Sequence, residues 1–184
     1  MNARARILDA GVDLLQTQGI AALTQPRVAK AAGLTQSHLT YYFPTRNALL
    51  LAIAEAAIEH VLAELGRAGA APPAALGDQL GQLIPQQAPV RVMLGLIVAA
   101  DSEPALRASL EAMILRIRQG VTALLERRGL AATPPQVLLV HAAVVGLSVM
   151  HHARQSEASA ADIAAGTHEL MRLLTADGAQ RPAS

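Results

Sequence analysis

The run QSHLTYY, residues 36–42, sets six hydrogen-bonding side chains around a single leucine. At helical spacing Ser37, Thr40 and Tyr41 fall at i, i+3 and i+4 and share one surface, Gln36 lies on the exposed first turn, and His38 with Tyr42 forms an adjoining stripe. These residue types suit the edges and backbone of a duplex. Glutamine can pair with adenine through two bonds, hydroxyls read donor or acceptor edges, and tyrosine hydroxyls reach phosphates. Arg46, placed at the start of a following helix with its free N–H groups, suits a phosphate. The same spacing also fits simple packing of Tyr41 and Tyr42 at a helix junction, so spacing alone leaves both readings open.

Other chemistries find less support. His141, His151, His152 and His168, with Glu157, Asp162 and Glu169 near some of them in sequence, form neither His-Glu-x-x-His nor the Glu-x-x-His pair of di-iron bundles. The one lysine, Lys30, lies outside any glycine-rich loop, and there is no Gly-x-Ser-x-Gly elbow. The chain has no cysteine, which excludes disulfides and thiolate metal sites. No catalytic constellation, metal or cofactor is expected.

The elements that must position residues 36–42 are helical. The chain has 184 residues, 52% of them apolar, enough to bury a core. Its patterning runs at the helical period almost throughout, without strand-like alternation, so the class is all-α with about nine helices. Ile7, Gly11, Leu14 and Leu15 share a face of the first helix, which Gly19 ends. Thr24 caps a short helix to Ala32, Gly33 closes it, Thr35 caps the next to about Phe43, and Thr45 caps a longer one. Two short helices joined by Gly33-Leu34-Thr35 have the form of a helix-turn-helix. Residues 66–75, rich in Gly, Ala and Pro, read as a turn. Helices are then expected near 76–84, 90–100, 105–128, 136–155 and 161–174. The most apolar run, 137–150, is interrupted by His141 and Ser148 and is shorter than a membrane span, so it reads as a buried helix. Residues 1–13 carry Arg4, Arg6, Asp9 and Asp13 and have no apolar stretch of signal length, so a cytoplasmic location is expected. Net charge is +1, but residues 1–50 carry five basic and two acidic side chains, a net of +3, leaving −2 for the remainder. The basic end is the candidate for phosphate contact.

The run ARILDAGVDLLQTQGIAALTQPRVAKAAGLTQSHLTYYFPTRNALLLAI resembles the DNA-binding domain of the TetR (tetracycline repressor) family, over roughly the first 55 residues. The resemblance implies a three-helix DNA-binding domain, residues 1–46, joined by a long helix to a ligand-binding and dimerisation domain, residues 47–184. It implies that Thr24, Gln25 and Arg27 approach the DNA backbone, that Thr35 and the ridge from Gln36 to Tyr42 supply groove and phosphate contacts, and that Arg46 stands where the family usually has lysine. Thr40 replaces a common tyrosine and Tyr42 a frequent histidine, which bears on operator sequence. The implied function is a ligand-responsive transcriptional regulator, most often a repressor, acting as a homodimer on double-stranded DNA. The alternative is a helical carrier or sensor of hydrophobic small molecules without specific DNA binding.

The only aromatic residues are Tyr41, Tyr42 and Phe43. A pocket beyond the head therefore cannot sandwich a planar ligand, and a small, non-aromatic, apolar effector is expected. Candidate walls are Leu62, Met93, Leu94, Ile97, Met113, Ile117 and Val121, with Arg116, Gln119, Thr122 and His141 as polar anchors; ordinary core is the competing reading for each. The family pairs its last two long helices across the dimer, which would place Ala142, Gly146, Ile163, Leu170 and Leu174 at the interface.

Overall fold

The computed structural model describes residues 2–70, 81, 84, 85 and 87–179. Among them are eight α-helices and no strand: α1 Ala3–Gln18, α2 Gln25–Ala31, α3 Gln36–Tyr42, α4 Arg46–Ala70, α5 Gln87–Ser102, α6 Ala105–Arg127, α7 Pro134–Arg154 and α8 Glu157–Ala179. A single 3-10 turn, Ile20–Ala22, follows α1. The helix expected near 76–84 lies almost wholly outside the described residues.

The chain divides into two compact units, Met1–His60 with Gln87–Met113, and Val61–Gln86 with Ile114–Ser184. These units do not follow the division expected at residue 46, because α4 continues unbroken and α5 joins the first unit. Arg91 of α5 donates to the Leu15 carbonyl (2.8 Å) and to that of Gln16, satisfying C-terminal acceptors of α1. Asn47 and Glu103 are joined by a side-chain hydrogen bond. Ile20 lies against Gly95, where an added Cβ would stand 2.5 Å from its Cδ1.

The core of the first unit is built on Ile7, Leu15, Val28, Leu39, Leu49 and Ile53, each at most 1% exposed. Gly11 lets α1 and α4 approach: a Cβ there would lie 2.3 Å from Ile53 Cδ1 and 2.7 Å from its Cγ1. Alanine in a helix interior gains about 1 kcal/mol over glycine. Overpacking costs about 1–3 kcal/mol, and Ile53, wholly buried, must shift to admit the methyl group. Gly11→Ala is therefore expected to lower stability on balance, with Gly11→Ala/Ile53→Val recovering part of the loss in thermal unfolding.

In the second unit Leu65, Ala68, Val121, Leu124, Leu125, Val137, Val140, Leu170 and Leu174 form one cluster drawn from α4, α6, α7 and α8. The turn expected from Gly66 is instead helix as far as Ala70. Gly69 acts there as a packing point, its missing Cβ giving room to Arg127 at 3.1 Å. Helix α7 starts earlier than expected because Pro134 and Pro135 take its first two positions, where proline's missing N–H costs nothing, behind a Thr133–Gln136 capping box. Helix α8 also starts early, at Glu157. Ser156 Oγ accepts from the Ser159 N–H (3.2 Å) and Ser159 Oγ from the Ser156 N–H (3.1 Å), with His151 Nδ1 2.9 Å from Ser159 Oγ.

The expectation of a buried helix over 137–150 is corrected. By length and composition α7 is apolar enough to cross a membrane, yet only 11% of its most apolar 18-residue stretch is buried. Val137 and Val140 face the core, whereas Leu138, Leu139 and Met150 are 48%, 56% and 52% exposed. A helix that is apolar on all sides exceeds what its own unit can cover.

Candidate nucleic-acid interface

Three local devices set the angle of α3. The first is the turn after α2, where Gly33 takes φ 65°, a left-handed value that favours glycine. There the Leu34 N–H reaches the Ala29 carbonyl (2.9 Å) and the Gly33 N–H the Lys30 carbonyl (3.1 Å), the paired bonds of a Schellman stop. The second is Arg6, whose guanidinium donates to the carbonyls of Ala32 and Gly33 and so covers acceptors that the turn leaves open. The third is Thr35, whose hydroxyl accepts from the His38 N–H at 3.2 Å as N-cap. Leu39 of α3 is wholly buried and Phe43 is 4% exposed, and α2, which packs on α3, buries Val28 and Ala29. Arg4 lies over the Phe43 ring, 5.8 Å from its centroid.

With Leu39 held inside, the helical period turns the remaining side chains outward. Gln36, Ser37, His38, Tyr41 and Tyr42 are exposed, Tyr41 by 81%. Tyr42 is braced edge-on by Tyr41 (5.2 Å) and lies tilted against His38 (5.6 Å), which limits its freedom. Thr40 is half-buried and its hydroxyl donates to the Gln36 carbonyl at 2.8 Å, so only its acceptor lone pairs remain for another group. Arg46 is exposed where α4 begins, just beyond Thr45, whose hydroxyl accepts from the Ala48 N–H (3.0 Å).

The flanking candidates divide. Thr24 precedes α2 without a side-chain capping bond and is half-buried. Arg27 is exposed and donates to Gln18 Oε1. Gln25 is half-buried and donates one of its two amide N–H groups to the Phe43 carbonyl at 2.7 Å, tying α2 to the end of α3. Lys30, exposed in the last turn of α2, and Arg4 add positive charge near this surface. No local pattern announces the capping role of Arg6, because its partners lie 26 and 27 residues away.

The residues named as ligand walls are divided between the two units. Met93, Leu94, Ile97 and Met113 belong to the first unit and the others to the second. Val121 is a member of the second unit's core, with Leu62 and Ile117 packed against it. Thr122 donates to the Arg118 carbonyl at 3.0 Å, Gln119 is exposed, and Arg116 and His141 are half-buried. Burial, and then the nearby Arg118 charge, push the His141 imidazole below its ordinary pKa.

The interface residues expected on α8 are also corrected. Ile163, Leu170 and Leu174 are 2%, 6% and 5% exposed, and the last two sit in the core cluster of their own unit. The stripe that was to meet a partner is taken up by α8 packing on α7, where Gly166 admits Leu147 at 3.1 Å. Ala142 is exposed, and nothing lies within 4 Å of the position a Gly146 Cβ would take.

Residues 7–53 match the model of the bacterial regulatory proteins, tetR family. Over 91 residues the chain is 36% identical to an uncharacterized HTH-type transcriptional regulator in the dhlA 5' region of Xanthobacter autotrophicus, covering 49% of this chain and 42% of that protein. Over 124 residues it is 31% identical to the HTH-type transcriptional regulator CymR of Pseudomonas putida, covering 64% and 61%. The match thus spans less than two thirds of either relative. A transcriptional regulator from Rhodococcus sp. Rha1 has the same fold, with TM-score 0.75 at 19% identity over 98% of this chain and all of that one. The multidrug binding protein EbrR, solved with proflavin, superposes with TM-score 0.61 at 26% identity over 94% and 99%.

Proposed function

We propose that this chain, whose residues 7–53 match the model of the bacterial regulatory proteins, tetR family, is a cytoplasmic, homodimeric repressor that grips a palindromic operator and is released by a small ligand. The observation that carries the reading is the outward polar ridge of α3, anchored from below by a wholly buried Leu39. Gln36 and Ser37 read base edges, Tyr41 and Tyr42 reach bases or phosphates, and Arg46 with the first N–H groups of α4 holds a phosphate. Thr35, Thr40, Thr24 and Arg27 flank this ridge, with Arg4 and Lys30 adding sequence-independent attraction.

The second copy docks on α7, whose Leu138, Leu139, Ala142, Gly146 and Met150 leave an apolar face open, joined by Leu173 of α8, 47% exposed. Gly146 permits close helix approach. Symmetry then sets two α3 helices into successive major grooves, about 34–36 Å apart. A ligand releases DNA only if it prefers another head spacing, since equal affinity for both states shifts nothing. Arg91, the Ile20–Gly95 contact and the Asn47–Glu103 bond tie α5 to the head, so a displacement of α5 would be carried to α3. Ligand binding by the structurally similar EbrR supports the responsive part of this reading.

Selection of genomic fragments on the purified chain is expected to yield palindromic sites whose affinity falls steeply with salt. Replacing Gln36 or Tyr41 with Ala is expected to cost about 1–3 kcal/mol at the selected site, measured by gel shift, with thermal stability unchanged because both side chains are exposed. Undiminished binding by both variants would remove the reading face from α3. Failure to select any site would favour a hydrophobic-ligand carrier instead.

A further inference from the structure

Arg118 stands where helical periodicity calls for an apolar side chain. On α6 it precedes Val121 and Leu125 by three and seven residues, and both are buried in the second unit's core. His141 on α7 follows Val140 by one residue and Val137 by four, so it shares the stripe that enters the same cluster. A charged group and an imidazole thus occupy inward positions on two helices of one core, while the residues around them are aliphatic.

Among the described residues no ion pair holds Arg118. Its Nε is shut off from solvent and lacks a hydrogen-bond partner. Among the described residues of this unit Glu64 is held by Arg67, Asp162 by Arg154 and Glu169 by Arg172, while Glu126 and Glu157 are exposed. Residues 134–154, which supply His141, contain no Asp or Glu. A half-buried guanidinium is costly unless an anion meets it, and among the described residues no ion pair holds Arg118. His141, kept neutral by burial, can still offer one ring N–H or one lone pair.

We propose that Arg118, with His141 beside it, anchors the carboxylate of an otherwise aliphatic ligand. This rests on the ligand-binding reading above and gives it a chemical class. The guanidinium fork matches a carboxylate through two parallel N–H···O bonds. The body of the ligand would meet only aliphatic walls, because no aromatic residue lies outside residues 41–43. An ammonium ligand would be repelled by Arg118.

The test titrates the full chain with straight-chain carboxylates from butyrate to dodecanoate, the matching primary alcohols, and octylammonium, by calorimetry, with operator release followed in parallel. Wild type is expected to prefer at least one carboxylate over its alcohol by roughly 10- to 100-fold, the worth of charge-assisted hydrogen bonds. Octylammonium is expected to bind more weakly than either. Arg118→Met, which fills the space without charge and should unfold no lower than wild type, is expected to reduce that preference to about unity. Arg118→Lys is expected to retain part of it. No carboxylate preference in wild type, or an undiminished one in Arg118→Met, overturns the proposal. Carboxylate binding that depends on Arg118 but leaves operator affinity unchanged upholds the anchor and removes the effector role. Operator release by alcohols, indifferent to Arg118, does the reverse.

Discussion

Leu139→Arg is expected to turn a dimer into a monomer and to weaken operator binding at least about a thousandfold, the gap between specific and non-specific affinity. Leu139 is 56% exposed in the single chain, so an arginine there costs the protomer little. In a twofold assembly closed over α7 the substitution enters twice, and residues 134–154 hold no Asp or Glu to receive the added charges. Burying unpaired charge costs several kcal/mol per ion. A monomer holds only one half-site, and its remaining affinity is largely the electrostatic, sequence-independent part. Light scattering would report the mass and a gel shift the operator affinity, while circular dichroism and thermal unfolding of the monomer should match wild type. A variant that stays dimeric with full operator affinity would move the dimer surface away from α7.

Leu39→Ala is expected to lose about 2–5 kcal/mol of stability, the usual cost of emptying a leucine site in a core. Leu39 is 0% exposed, and the helix it anchors is only seven residues long. Total stabilities of folded domains are about 5–15 kcal/mol, so the loss is a large share. The variant should melt well below wild type and bind DNA poorly for want of a positioned α3. Tyr41→Ala, two residues away, should melt normally and lose only recognition. The two together separate the residue that holds the helix from one that reads with it. If Leu39→Ala melts like wild type, α3 is not seated on this core.

The head was legible because its signals are local. Gly33 must take a left-handed conformation, Thr35 must cap, and Leu39 among polar neighbours fixes which face of α3 turns inward. Each follows from a few adjacent residues, and the structure places each as the pattern requires. The starts of α7 and α8 were misread for equally local reasons. Pro134 and Pro135 look like borders but serve as the first residues of a helix. Ser156 and Ser159 cap each other without the glutamate that usually marks such a box.

Long-range partnerships left no such trace. Nothing near Arg6 points to Ala32, nor near Gln25 to Phe43, and the hydrogen bonds that lock the head angle run across the chain. The apolar periodicity of α8 was visible, but periodicity says only that a face is covered, not by what. Ile163, Leu170 and Leu174 proved to be covered by their own unit, and the open surface lies on α7. Local sequence therefore determined the helices, the turn between α2 and α3, and the chemistry of the ridge, because caps, φ preferences and helical spacing act over a few residues. Tertiary packing alone decided which apolar faces remain unburied and which cations, Arg118 and Arg128 among them, keep buried nitrogens without a partner, because burial and pairing depend on groups brought together from distant parts of the chain.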